Sequence, residues 1–312
     1  MADPRLTEEQ FRALYERLRL VPGWGPRDRR GALNYLSPDL VAAACREVRL
    51  GRPVSLATPL ADTAGPDNPE PVTHEMTAGH HAAGHHGTSH GLSFATDRFS
   101  MNVHGDANSH LDALCHVIYD GTLYNDVAAT AITDNGAQEE SVEVVGDGIV
   151  GRGVLLDIPR LRGLPWLNPG EHVTADDLAG AEAAQSVRVG RGDLLFVRVG
   201  HSRRRAELGP WDAARTRAGL HPTALDFIAD REVAVLGSDS NNDTAPSAAD
   251  GVDFPVHVLA VNALGVHLLD YLQFEELVPL CEIVGRWSFL CVIAPLRLPG
   301  GTGSPVNPIA IA

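Results

Sequence analysis

Along the chain the spacing of apolar and polar residues changes several times, and each change marks an element. Thr7 to Gln10 (TEEQ) has the spacing of a capping box and predicts a helix running through Leu18. WGPRDRRGALNYL, from Trp24, is a Gly- and Pro-punctuated loop that ends at Ser37. A second helix follows in SPDLVAAACREV, with Ser37 as N-cap, Pro38 at the first helical position and Gly51 beyond the end. PVSLATPL, from Pro53, alternates and predicts a strand. Downstream, GIVGRGVLLDI, DLLFVRVG (from Asp193), EVAVLGSDS and RWSFLCVIAPLRL read as strands. TADDLAGAEAAQ (capped by Thr174), HPTALDFIAD, PVHVLAVNA and QFEELVPLCEIV read as helices. Strands and helices interleave, which predicts an α/β protein. No internal repeat or compositional shift divides the chain, so one domain is expected over residues 51–312, preceded by a helical extension over residues 1–50.

One stretch breaks the periodicity. Residues 61–92 carry His74, His80, His81, His85, His86 and His90 among Gly, Ala and Pro, and predict a long loop whose histidines mostly face water. His74 and His90 are its candidates for reaching a site. LSFATDRFSMNV then reads as a strand that delivers His104.

Composition narrows the partners. The 312 residues carry a net charge of −15 with His neutral, which argues against nucleic acid or an anionic membrane as a partner for a basic surface. The one basic knot, Arg203 to Arg205, reads as a short solvated turn. No stretch approaches the roughly 20 apolar residues of a membrane helix, and the charged start MADPRLTEEQ predicts a cytoplasmic address. Cysteines 45, 115, 281 and 291 lack paired spacing and read as buried thiols. No GxGxxG follows a strand, and the GKS/GKT of a phosphate loop and GxSxG are missing.

The candidate chemistry lies between Asn102 and Asn125, NVHGDANSHLDALCHVIYDGTLYN. Thirteen residues gather His104, Asp106, His110, Asp112 and His116 among small or apolar neighbours. Imidazole and carboxylate together suit a divalent ion, zinc or manganese alike. His110 and Asp112 are two apart and share a face if the segment is extended. His116 lies four beyond Asp112 and stacks with it if a helical turn begins there.

These residues resemble the metal-dependent cyclase or kynurenine-formamidase-like hydrolase family, which includes arylformamidases and isatin hydrolases. Its signature is H-x-G-T-H-x-D-x-P-x-H; Ser109 to His116 (SHLDALCH) matches the second half, with Ala113-Leu114 in place of the small-Pro step. WGPRDRRGALN, YDGTLYN, AGLHP, AVLGSD, PVH, GVHLLDYL and APLRLPGGTGSPVNPIAI extend the resemblance over most of the chain. It implies a single-domain fold with a mixed central sheet of the swivelling β/β/α type and surrounding helices. It further implies a divalent metal held by His110 and Asp112, with His104 or Asp106 as first ligand, since the position four before His110 is Asp106. His116 would act in acid–base chemistry or orient substrate, and His221 in AGLHP would line the substrate pocket. His257 and Asp270 stand where relatives hold a second metal or orient water; for His267, core packing is expected. The implied reaction is attack of activated water on the carbonyl of a small amide, cyclic amide, imide or lactone, in a homodimer or homotetramer. A metal-dependent lyase or ring-closing cyclase and a non-enzymatic metal-binding protein are the alternatives.

Overall fold

Two sets of apolar side chains, alternating along each strand, place cores on opposite faces of one sheet. In the computed structural model, which describes residues 5–78 and 94–312, nine strands form it: β1 (Pro53–Ser55), β2 (His110–Asp112), β3 (Ile149–Asp157), β4 (Leu194–Arg198), β5 (Val235–Ser238), β6 (His267–Asp270), β7 (Ser288–Ile293), β8 (Gly303–Pro305) and β9 (Ile309–Ile311). Their order is β1-β9-β7-β3-β4-β5-β6-β2-β8. The centre, β3 to β6, is parallel, and both flanks are antiparallel. The expected α/β fold with a mixed sheet is therefore present. Val154, Leu156, Leu195, Val197, Leu236 and Leu268 fill the core on one face; Leu155, Leu194, Phe196, Val235 and Leu269 fill the other. Strands buried on both faces are continuously apolar, which is why they were conspicuous in the sequence.

The helices follow their local signals. Both α1 (Glu8–Leu18) and α4 (Ala175–Gln185) begin in complete capping boxes, at Thr7 and Thr174. The N-terminal α1 is tied into the body: Phe11, Leu14, Tyr15 and Leu18 are buried in the first core, and the Tyr15 hydroxyl donates to Asn262 Oδ1 at 2.7 Å. Helix α2 covers Pro38–Ala44, with Ser37 capping it, and a 3-10 turn finishes the predicted element; α3 is the short helix Ile158–Arg162 after β3. No described helix is long and apolar enough to cross a membrane.

Several expectations change. PVSLATPL shortens to β1, because beyond Ser55 the backbone leaves β9 and bonds elsewhere: Leu56 N–H to Pro308 and Gln273 N–H to Leu56 O. The predicted loop at 61–92 contains a strand, Thr73–Ala78, paired antiparallel with Thr96–Ser100 in an exposed hairpin. Because the side chains of Thr73, His74, Glu75 and Met76 are exposed, the strand has no apolar alternation to betray it. His74 pairs there with Asp97, 2.9 Å away, while His80, His81, His85, His86 and His90 lie outside the described residues. Arg203 to Arg205 sit in helix α5 (His201–Leu208), not a turn: Asp239 accepts the N–H groups of Val199 and Gly200 at its start, and Arg205 pairs with buried Asp67. PVHVLAVNA begins as one α-helical turn, Pro255–His257, and continues as a π-helix, Val258–Ala263.

A pH dependence of stability follows from Glu140. It is buried, in a left-handed turn (φ 58°), and neither carboxyl oxygen has a hydrogen-bond partner. Burial pushes its pKa up to about 8 against the pull of Arg29. The folded chain thus retains a proton that the unfolded chain has released, so stability is full below the ordinary carboxyl range and falls as pH rises toward about 8. Glu140→Gln is expected to stabilise the protein on the alkaline side by on the order of 2 kcal/mol, and to change it little in acid. Calorimetric melting across this range checks it; a pH-independent gap between the two proteins contradicts it.

Candidate metal centre and active-site cavity

The register of three short strands assembles the site. Leu111 belongs to the core on one face, so His110 and Asp112 point to the other. Antiparallel pairing sets Asp112 opposite Leu268 and His110 opposite Asp270, which brings both carboxylates and an imidazole to one surface. A 3-10 turn, Leu114–His116, folds the next imidazole back toward them. His104 enters from the preceding loop, and Gly303 makes room for it: a Cβ there would lie 2.5 Å from Leu111 O and 2.7 Å from Cε1 of His104. His257 comes from the turn that starts the π-helix. All six residues line one cavity of about 560 Å³.

Asp112 is the hub. Its Oδ1 lies 2.8 Å from Nδ1 of His104 and 3.6 Å from Nε2 of His110, and its Oδ2 lies 3.4 Å from Nε2 of His257. Nε2 of His257 is also 3.3 Å from Oδ2 of Asp270. Two of the imidazoles are oriented from behind. His110 Nδ1 donates to the Asn108 carbonyl at 2.8 Å, which turns Nε2 toward the centre; His257 Nδ1 is 2.6 Å from Asp243 Oδ2. Asp243 in turn accepts the N–H groups of Val256 and His257. Asn241 Nδ2 donates to Asp270 at 2.9 Å, as does the backbone N–H of Asn242 at 3.1 Å. His116 stacks on His104, with ring centroids 3.6 Å apart and planes within 3°.

The electrostatics fit a cation. Burial opposes the Asp112 charge, but His116, His104, His257 and His110 hold its carboxyl well below the usual range. Burial likewise opposes charge on His257, but Asp270, Asp112 and Asp243 raise it well above an ordinary imidazole. His116 is dominated by burial, which takes it down to about 4, so it is neutral at neutral pH. Asp112 Oδ2 is buried with no hydrogen-bond partner, the His257 imidazole standing 3.4 Å away, so the atom is left for a further ligating group. Among the described residues, two groups offer ligand atoms within 4.8 Å of one another, His104–His110–Asp112 and Asp112–His257–Asp270, and they share Asp112. The residues present therefore fit one divalent ion, or two bridged by a carboxylate.

The other candidates are placed differently. Asp106 lines the cavity but belongs to neither group; its Oδ1 accepts the Tyr271 hydroxyl at 2.6 Å. His221 is not among the cavity-lining residues: its N–H bonds to Val173 O, and its ring packs on His172 with centroids 4.9 Å apart. His267 is fully buried on the far face of β6, where burial lowers its pKa to about 4. Sequence reasoning missed Asn108, Asn241, Asn242, Asp243 and Tyr271. For Asn241, Asn242 and Asp243 the available signal was the polar run SDSNND at the end of β5, where a parallel sheet presents its functional ends.

Fold and site together define an α/β protein with a buried histidine–carboxylate centre at the edge of a mixed sheet. The family model described as "Putative cyclase" matches residues 48–242, and the chain belongs to that family. The crystal structure of a novel cyclase, 32% identical, superposes with a TM-score of 0.86 over 96% of this chain and 99% of its own. Isatin hydrolase A from Labrenzia aggregata, bound to benzyl benzoate, matches at 0.59 with 22% identity over 87% and 97% of the two chains. Isatin hydrolase A from Ralstonia solanacearum matches at 0.58 with 23% identity over 88% and 95%. These last two are alike in fold. A search of curated proteins finds no match.

Proposed function

We propose that the protein is a metal-dependent hydrolase that attacks the carbonyl of a small amide, cyclic amide or imide, or lactone, with C–N cleavage favoured. The observation that carries this is Asp112, a buried carboxylate shared by two ligand groups with one oxygen left unsatisfied. Membership of the cyclase family and a fold shared with isatin hydrolases support it. His104, His110 and Asp112 would hold the ion; Asp270 and His257 would hold a second or orient water. When bound, such an ion lowers the pKa of water from 15.7 toward ~7 and polarises a carbonyl oxygen.

This chain's own residues supply the rest. His116, neutral and facing the cavity, accepts the proton of the attacking water and returns it to the leaving nitrogen or oxygen as the carbonyl–heteroatom bond breaks. Val117, Ile118, Val252, Phe254 and Val258 give the cavity an apolar wall for the body of a small substrate. The same reading includes a cytoplasmic homodimer or homotetramer, whose mass light scattering in solution would measure.

The test is turnover of formamides, cyclic imides and lactones in ¹⁸O-labelled water, with and without chelator. We expect label in the product, loss of turnover on chelation and recovery with zinc or manganese. Turnover without label would identify a lyase or cyclase instead, and turnover indifferent to chelation would remove the metal from the reaction.

A further inference from the structure

Tyr271 directly follows the candidate ligand Asp270, yet both side chains serve the same site. In an uninterrupted strand, successive side chains point to opposite faces. Tyr271 departs from that rule through a left-handed backbone (φ 54°), a conformation bulky residues seldom adopt. Contacts on every side hold it there. Its N–H donates to Ser240 O at 3.0 Å, and its carbonyl accepts the Ser109 hydroxyl at 2.6 Å. Its buried ring lies between His110 and His201, with centroids 6.4 and 5.5 Å away. The hydroxyl at the end of this arrangement donates to Asp106 Oδ1 at 2.6 Å.

We propose that Tyr271 is a positioning residue whose hydroxyl holds the Asp106 carboxylate back from the metal centre, so that a coordination position stays open for exchangeable water. The inference rests on the metal-dependent reading. Asp106 lines the same cavity as His104, His110, Asp112, His257 and Asp270, and it precedes His110 by four residues, but it contributes to neither ligand group. A carboxylate is a competent ligand for zinc or manganese. Free of its hydrogen bond, it would compete for the position that a hydrolytic water needs. On its other side Asp106, with Tyr271, borders a small polar chamber lined by Thr58, Asp67, His201 and Asp239, so Asp106 stands between two cavities.

The experiment loads full-length protein with Mn(II) and reads water-proton relaxation together with affinity in a chelator competition. Tyr271→Phe keeps the ring and removes only the hydroxyl. It is expected to lower relaxivity as a bound water is displaced, tighten Mn(II) binding about tenfold, and lower kcat. Tyr271→Phe combined with Asp106→Ala is expected to restore both relaxivity and affinity. Wild-type values in Tyr271→Phe would overturn the proposal, and so would a change that persists in the double variant. An Asp106→Ala protein that no longer binds Mn(II) would also overturn it, by making Asp106 a ligand already. Failure of the wild type itself to bind Mn(II) or zinc would defeat the metal reading and this inference with it, an outcome distinct from the other three.

Discussion

Asp112→Asn is expected to empty the centre and abolish turnover. The substitution preserves size, so the strand pairing of β2 with β6 and β8 should survive, as circular dichroism would show. It removes the one carboxylate that belongs to both ligand groups. Losing the Lewis acid forfeits several kcal/mol of transition-state stabilisation. At 1.36 kcal/mol per decade this amounts to a fall in rate of about 10³-fold or more. Elemental analysis of the purified variant should find metal at background, whereas wild type retains it. A folded Asp112→Asn protein with full metal and full activity would be incompatible with the arrangement described.

His116→Ala is expected to separate chemistry from metal binding. His116 lines the cavity and stacks on His104, but it belongs to neither ligand group. Its removal should therefore cost about 10² to 10⁴ in kcat, the usual contribution of a positioned acid–base group, while metal content stays at the wild-type level. Measuring both on one preparation decides the role. Parallel loss of metal and rate would move His116 into the ligand set; an unchanged rate would leave it a packing residue.

Long-range pairing explains which parts of the site were legible before the fold was known. His110 and Asp112 needed only an extended backbone to share a face, and His116 needed only the following turn; these are relations within seven residues. Asp270 needed strand β6, which has only four residues, HLLD, of which two are ordinary core types. Asp243 sits 14 residues from the His257 it orients, and Asn242 sits 28 from Asp270. Nothing in either local segment encodes those partners. The surroundings of His104 and Asp106 were equally closed to spacing arguments, because they include Thr302, Gly303 and Tyr271 from the far end of the chain.

The chain's own order of residues determined what local physics controls. Capping boxes at Thr7 and Thr174 started α1 and α4, and doubly buried apolar runs became the parallel centre of the sheet. The imidazole–carboxylate spacing from His110 to His116 marked where the chemistry sits. Only the tertiary structure decided that Asp112 stands between two groups of ligand-type side chains, that the Asp106 carboxylate accepts the Tyr271 hydroxyl, and that the His221 ring packs on His172. A centre of this kind is built by register between strands distant in sequence. Register is set by burial of the whole sheet, which no short segment contains.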